Sequence, residues 1–239
     1  MLRAARRSSI SAARSLTIPA TSSQDGRAAA WERTYAARTP EELDEAYRVW
    51  APTYDEDSIR RFGYAAPAAA AELLSRHLVD PGARILDAGA GTGLVGGFLK
   101  ERGFVNLVAL DRSHDMLELA RQKACYCELL CTDLNDPRAV ERGSVAALVA
   151  VGTCTPNHIE AGVCLRQWTE WLQPGGLICL SLRSDFWKAG LADPAGISSA
   201  CLQLEREGTW RAVEVTEDAP YTPNVSEVTY HMRLYEAVQ

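Results

Sequence analysis

The sequence predicts an α/β fold: a doubly wound, mostly parallel sheet with helices on both faces. Three observations carry this. Short apolar runs alternate with segments of helical period, so candidate strands recur roughly every 20–30 residues. The first of these runs ends in an acid followed by three glycines at alternate positions, Asp87-Ala88-Gly89-Ala90-Gly91-Thr92-Gly93, just before a helical stretch. The last two candidate strands have no helix between them, which makes them an antiparallel pair at the sheet edge.

Taken in order, residues 1–24 carry Arg3, Arg6, Arg7 and Arg14 with no acid. That composition fits a basic disordered tail or an organellar transit peptide, and it lacks the long apolar core of a secretory signal. It predicts a cytoplasmic or mitochondrial protein, not a secreted one. Residues 25–37 are polar and alanine-rich, without a clear period. Thr39-Pro40-Glu41-Glu42 reads as a helix start with a capping box. Leu43, Ala46, Tyr47 and Trp50 then fall on one helical face, and Pro52 is expected to stop the helix. A second helix is expected over about Pro67–Leu78. Asp80-Pro81-Gly82 makes a turn. The division expected is a tail (1–24), an N-terminal helical lid (25–80) and a core domain (81–239).

Within the core, strands are expected at Ile85–Ala88, Leu107–Leu110, Glu128–Cys131, Val145–Val151 and Leu177–Leu182. The fourth is almost wholly apolar, as suits a parallel strand covered on both faces. Helices are expected over Gly93–Arg102, after a Ser113 cap, and over about Glu160–Leu172, the last burying Val163, Trp168, Trp171 and Leu172. Trp210–Thr216 and Val228–Tyr235 form the edge pair, with His231 in an edge strand.

Composition excludes some classes. The net charge is −6, and residues 25–239 alone carry about −10 (21 basic against 31 acidic), which argues against nucleic acid as a partner. No apolar run is long enough to span a bilayer, so no membrane partner is expected. Seven cysteines show no C-x-x-C and no zinc-ligand spacing, so no metal is expected and the thiols read as reduced and mostly buried.

The glycine turn decides the ligand. Gly91-Thr92-Gly93-Leu94-Val95-Gly96 formally matches the dinucleotide G-x-G-x-x-G. The carboxylate of Asp87 at the strand tip opposes that reading, because it would repel a pyrophosphate docked on a helix N-terminus. S-adenosylmethionine has no phosphate and carries a sulfonium and an ammonium, so an aspartate and bare glycine backbone suit it. Asp111, 22 residues past Gly89 at the end of the second strand, can accept the ribose hydroxyls. Asp133, past the third strand, can accept the adenine amino group. Asp111 also suits capping the next helix with Ser113, and Asp133 also suits a plain turn.

The pattern Leu86-Asp87-Ala88-Gly89-Ala90-Gly91-Thr92-Gly93 resembles motif I of the class I S-adenosylmethionine-dependent methyltransferases. Tyr47-Arg48-Val49-Trp50-Ala51-Pro52-Thr53-Tyr54-Asp55 is similar to the Y-D-x-W-A-x-x-Y-D segment of the methyltransferase-like proteins of the Williams–Beuren region. The likeness runs over roughly residues 45–239 and includes Met116-Leu117-Glu118 and Pro174–Leu180. It implies a Rossmann-like seven-stranded sheet with an antiparallel last strand, and methyl transfer from S-adenosyl-L-methionine. The cofactor contacts it implies are Gly89, Gly91, Asp111 and Asp133, with Tyr54 helping to close the site. Asp87, Arg112, Leu134 and Val151 complete the expected cofactor set. One departure is Val145-Ala146-Ala147-Leu148, where that family usually has F-D-x-V.

No [D/N]-P-P-[Y/F] follows the fourth strand, which argues against methylation of DNA bases or protein amides and favours a small-molecule acceptor. His158, on the loop there, is the candidate general base. Trp50, Tyr54, Phe186, Trp187 and Tyr221 are candidates to line an apolar acceptor pocket. Two other functions compete. A short-chain NAD(P) oxidoreductase would need a Tyr-x-x-x-Lys pair, and residues 145–182 contain neither residue. A non-catalytic adenosyl-binding protein is the other.

Overall fold

The computed structural model describes residues 26–155, 158–187, 193 and 196–238. The predicted tail 1–24 lies outside these. Eight strands form one sheet: β1 (Ile85–Ala88), β2 (Leu107–Asp111), β3 (Glu128–Cys131), β4 (Val145–Ala150), β5 (Leu172–Arg183), β6 (Trp210–Val215), β7 (Ala219–Pro220) and β8 (Thr229–Ala237). Their order is β3-β2-β1-β4-β5-β8-β6, with β7 pairing β8 off this path. The first five are parallel, and β8 runs antiparallel to both β5 and β6. This is the doubly wound Rossmann-like sheet with an antiparallel last strand. One detail differs from expectation: β8 sits inside the sheet and β6 forms the edge. His231 is therefore an interior-strand residue, only 5% exposed.

Alternation along the strands feeds two cores. Ile85, Leu107, Ala147, Val149 and Cys179 pack beneath α3 (Ala66–His77) and α4 (Leu94–Glu101). Leu86, Ala88, Leu110, Leu148 and Leu180 pack beneath α6 (Ala161–Trp171) and α8 (Ile197–Arg206). Trp168 and Trp171 are wholly buried on that second face. Val163, expected among them, is 60% exposed; Cys164 and Leu165 take the inward positions. Helix α5 (His114–Gln122) follows the Ser113 cap, whose hydroxyl accepts from the Met116 N–H at 3.3 Å. Helix α7 is the single turn Ser184–Trp187.

The lid departs most from expectation. The stretch 25–37 contains a helix, α1 (Gly26–Ala36), which over residues 30–36 buries Ala30 and Thr34, with Trp31, Glu32 and Tyr35 half-buried. So thin an apolar face, scattered among alanines, leaves no legible period. Helix α2 (Pro40–Trp50) starts as expected: Thr39 accepts from the Glu42 N–H at 3.2 Å, and Glu42 reaches back to the Arg38 N–H at 2.8 Å. Pro52 does not end the helical path. It enters the first turn of a 3₁₀ segment (Ala51–Thr53), where a missing N–H costs nothing, and a π-helical turn (Glu56–Arg61) follows. Pro174-Gly175-Gly176 lies within β5 as an irregularity in its pairing with β4.

Candidate functional site

At the carboxyl ends of β1, β2 and β4 the sheet opens into a pocket that encloses about 1000 Å³, open solvent at its mouth included. This is the end at which open parallel sheets bind ligands. Its floor comes from the loops after the strands and its roof from α1, α2 and residues 51–64.

The glycine turn forms part of the floor. Gly89, Gly91 and Gly93 have φ of +78°, +52° and +85°, which only glycine adopts without strain. Their amides serve the turn itself: the Gly89 N–H donates to the Leu110 carbonyl at 2.8 Å, and the Gly91 N–H to Asp111 Oδ2 at 2.8 Å. The bare amides expected to meet a ligand are thus already occupied. What the turn offers is room. A Cβ on Gly91 would meet nothing within 4 Å, so a side chain there would enter the cavity. A Cβ on Gly89 would lie 2.4 Å from the Thr153 hydroxyl, which donates to the Ala88 carbonyl at 3.0 Å.

Asp111 ends β2 at the cavity wall. Each oxygen accepts one backbone N–H, Oδ2 from Gly91 and Oδ1 from Ser113, both at 2.8 Å. Burial raises its pKa, and those two bonds and Arg112 oppose the rise. Each carboxylate oxygen keeps a lone pair for a further donor. Asp133 also lines the cavity while its Oδ1 accepts from the Asn135 N–H and side-chain amide at 2.8 Å, so it is a turn residue and a wall residue together. Arg112 pairs with Asp44 on α2 at 2.7 Å and tethers the lid to the end of β2. Leu134 and Val151 line the same end, as does Met116, which sequence reasoning did not select.

Asp87 is the exception. It does not line the cavity. The alternation of β1 turns it with Ile85 toward α4, where it is 2% exposed. There Oδ2 accepts the Tyr126 hydroxyl at 2.6 Å, while Oδ1 has no partner. Burial pushes its pKa up to about 7, against the Tyr126 hydrogen bond. The same hydroxyl accepts the Gly96 N–H at 3.2 Å, and a Cβ on Gly96 would fall 2.3 Å from the Tyr126 ring. The third glycine of the apparent dinucleotide fingerprint therefore makes space for a tyrosine.

The roof is aromatic. Tyr54 lines the cavity and meets the Trp50 ring edge-on, with the centroids 4.5 Å apart. It is anchored through the next residue: Asp55 accepts Lys123 Nζ at 2.6 Å and the Thr92 hydroxyl at 2.5 Å, and Lys123 also donates to the Thr92 carbonyl at 2.5 Å. This latch joins the lid to the glycine turn and the end of α5. Tyr221 lines the cavity as expected, donating to the Tyr64 hydroxyl at 3.4 Å. Phe186 and Trp187 do not. Phe186 lies under the Arg183 guanidinium, and Trp187 lies under that of Arg233, 3.9 Å away. Trp31, Thr34 and Tyr35, on the unforeseen α1, also line it.

His158 faces the cavity between two hydroxyls, sharing hydrogen bonds of 2.8 Å with Tyr47 at Nε2 and with Thr155 at Nδ1. His114 is exposed on α5, and His77 pairs with Glu214 at 2.7 Å, both remote from the site. Among the described residues no three His, Cys, Asp or Glu side chains group as a metal site.

A mostly parallel sheet with an inserted antiparallel last strand, a glycine turn after β1 and a carboxylate ending β2 define the Rossmann-like class of S-adenosylmethionine-dependent methyltransferases. Known proteins agree. The family described as Methyltransferase domain matches residues 85–176. Methyltransferase-like protein 27 of Homo sapiens is 32% identical over 170 residues, 70% of this chain and 67% of that protein. The chain belongs to the S-adenosylmethionine-dependent methyltransferase family, and S-adenosyl-L-methionine is its cofactor. Trans-aconitate 2-methyltransferase of Azoarcus sp. (strain BH72) is 28% identical over 136 residues, 56% of this chain; the chain spans 53% of that protein. Among solved structures, the [4+2]-cyclase SpnF shares the fold at a TM-score of 0.64 and 15% identity, over 84% of this chain and 98% of that one. The geranyl diphosphate C-methyltransferase of Streptomyces coelicolor A3(2) does so at 0.56 and 14%, over 72% and 79%.

The residues fit this cofactor. The open space at Gly91 admits a ligand, and the two carboxylates at that end suit hydroxyl and amino donors. Nothing there requires a phosphate.

Proposed function

We propose that this chain transfers a methyl group from S-adenosyl-L-methionine to a small-molecule acceptor held under the lid. The observation that carries this reading is the continuity of the cavity: Gly91, Asp111 and Asp133 line one end, and Tyr35, Trp50 and Tyr64 line the other. The bound cofactor supplies an electrophilic methyl on a sulfonium. Asp111 accepts the ribose hydroxyls, Asp133 the adenine amino group, and Leu134 and Val151 pack on the base. Tyr54 closes over the site. Enclosure under the lid fixes the acceptor in line with the methyl group and excludes water, which supplies much of the rate.

An acceptor that loses a proton passes it toward His158 through Tyr47. With Nδ1–H donated to Thr155, Nε2 accepts from the Tyr47 hydroxyl, whose oxygen then faces the cavity as an acceptor. The acidic body argues against a nucleic-acid acceptor. The arginine-bearing first 24 residues fit a cytoplasmic or mitochondrial address.

Calorimetric titration with S-adenosylmethionine, S-adenosylhomocysteine and NAD tests the cofactor half. Both adenosyl compounds should bind and NAD should not. Asp111→Asn should weaken S-adenosylhomocysteine about 10- to 100-fold, the effect of losing hydrogen bonds to a charged group. Unchanged affinity in that variant sinks the ribose assignment.

A further inference from the structure

The acceptor's chemistry is written in how charge is distributed along the cavity. We infer, resting on the methyltransferase reading, that the acceptor binds as a neutral planar ring compound whose hydroxyl or amide group is held by Thr222.

Three observations support this. Among the described residues, the charged side chains that line the cavity, Asp111, Arg112 and Asp133, are at the cofactor end. Among the described residues, the lid end presents aromatic rings, small hydroxyls and His158. Charges near that end stand behind the walls and are already paired. Arg183 stacks on Tyr35 and Tyr221 at 5.0 and 5.4 Å and is held by Asp185 at 2.8 Å. Asp57 is buried behind Trp50 and accepts its indole N–H at 3.1 Å. A carboxylate acceptor would lose its water there without a protein cation, and an ammonium acceptor would lose its water without a carboxylate. The ammonium would also face the cofactor's sulfonium. A neutral ring meets neither penalty and gains from the aromatic walls.

The third observation points to a ligand directly. Thr222 lines the cavity, is 4% exposed, and its hydroxyl has no hydrogen-bond partner. A buried hydroxyl left unpaired is destabilising. Its position in the wall makes an acceptor's polar group its natural partner. The chain places it there firmly: the Thr222 carbonyl accepts the N–H groups of Val225 and Ser226 at 3.0 and 2.9 Å.

The test uses the full chain saturated with S-adenosylhomocysteine and three probes of one shape: 2-naphthol, 2-naphthoate and 2-naphthylmethylammonium. Calorimetry should give the tightest binding for 2-naphthol, with the two ions at least about 10-fold weaker. Thr222→Val should lower 2-naphthol affinity about 3- to 10-fold. It should leave S-adenosylhomocysteine affinity unchanged, and Tm equal or higher because an unpaired hydroxyl is gone. Thr222→Ser should restore binding. Equal or tighter binding of either ion, no binding of any probe, or no effect of Thr222→Val overturns the inference. Failure of S-adenosylhomocysteine to bind overturns the methyltransferase reading instead, and is read first.

Discussion

Tyr126 donates its hydroxyl to Asp87 away from the cavity lining, and this changes what the strand-tip acid does. With Oδ1 unpartnered and the group 2% exposed, its proton is held to about pH 7. A folded-state pKa raised above the unfolded value means the folded chain binds the proton more tightly. The resulting stability is full below about pH 4 and is lost as pH rises through about 7, on the order of 4 kcal/mol in all. Asp87→Asn removes this loss. The Tm of the variant minus that of the native chain, both ligand-free, should therefore rise from pH 5 to pH 8; a flat difference refutes the buried acid. Asp111, also raised, keeps two backbone donors and lines the cavity. The two acids share one pleat face and are separated by their place along it: Asp87 is buried within β1, whereas Asp111 ends β2 at the cavity wall.

The element that decides access is the lid, and it is held by a few polar contacts. Lys123, at the end of α5, bridges Asp55 and the Thr92 carbonyl, and Asp44 on α2 pairs with Arg112. These pairs are partly exposed, so each contributes only about 0–1 kcal/mol to folding. Their consequence is positional. Lys123→Met keeps the stem and removes the bridge. It should shift Tm little, yet weaken S-adenosylhomocysteine about 3- to 10-fold by loosening Tyr54 over the site. Calorimetry beside a melting curve separates the two effects, and an unchanged Kd would show that the latch does not position the roof. The N-terminus of α2 is more local: Thr39→Ala should cost about 1 kcal/mol, read as a lower urea midpoint, because it strips the cap from Glu42. The capping box was legible from four residues. The continuation past Pro52 was not, because a proline stops a helix only where its N–H is needed.

Across the whole molecule, the division between lid and core follows burial more closely than chain order. The division expected from chain order puts α3 in the lid over 25–80, yet Ala66, Ala70, Leu73 and Leu74 are buried against the sheet in one cluster with Ile85, Ala147 and Cys179. We propose that the core begins near residue 63. A buried leucine is worth about 2–5 kcal/mol, and a domain's net stability is only about 5–15 kcal/mol. A chain starting at residue 81 should therefore fail to melt cooperatively. One starting at residue 63 should fold and bind S-adenosylhomocysteine weakly. A cooperative melt for the shorter chain would place the boundary where chain order suggested. Fold alone does not set chemistry here, since a [4+2]-cyclase shares it. The reaction is therefore set by the residues that line the cavity and not by the sheet.

The sequence by itself determined the order of β1 to β5 and of the helices between them, the glycine turn and the positions of Asp111 and Asp133. These are local properties: alternation, helical period, positive φ and the last residue of a strand are each written within a few neighbours. The tertiary structure alone decided that Asp87 turns to Tyr126, 39 positions on, and that Tyr47 meets His158, 111 positions on. It also decided that β8 enters the sheet ahead of β6, and that Trp31, Tyr35 and Thr222 face the cavity. Those outcomes depend on which face a side chain takes and which distant segment packs against it. Close packing settles both, and no local period records them.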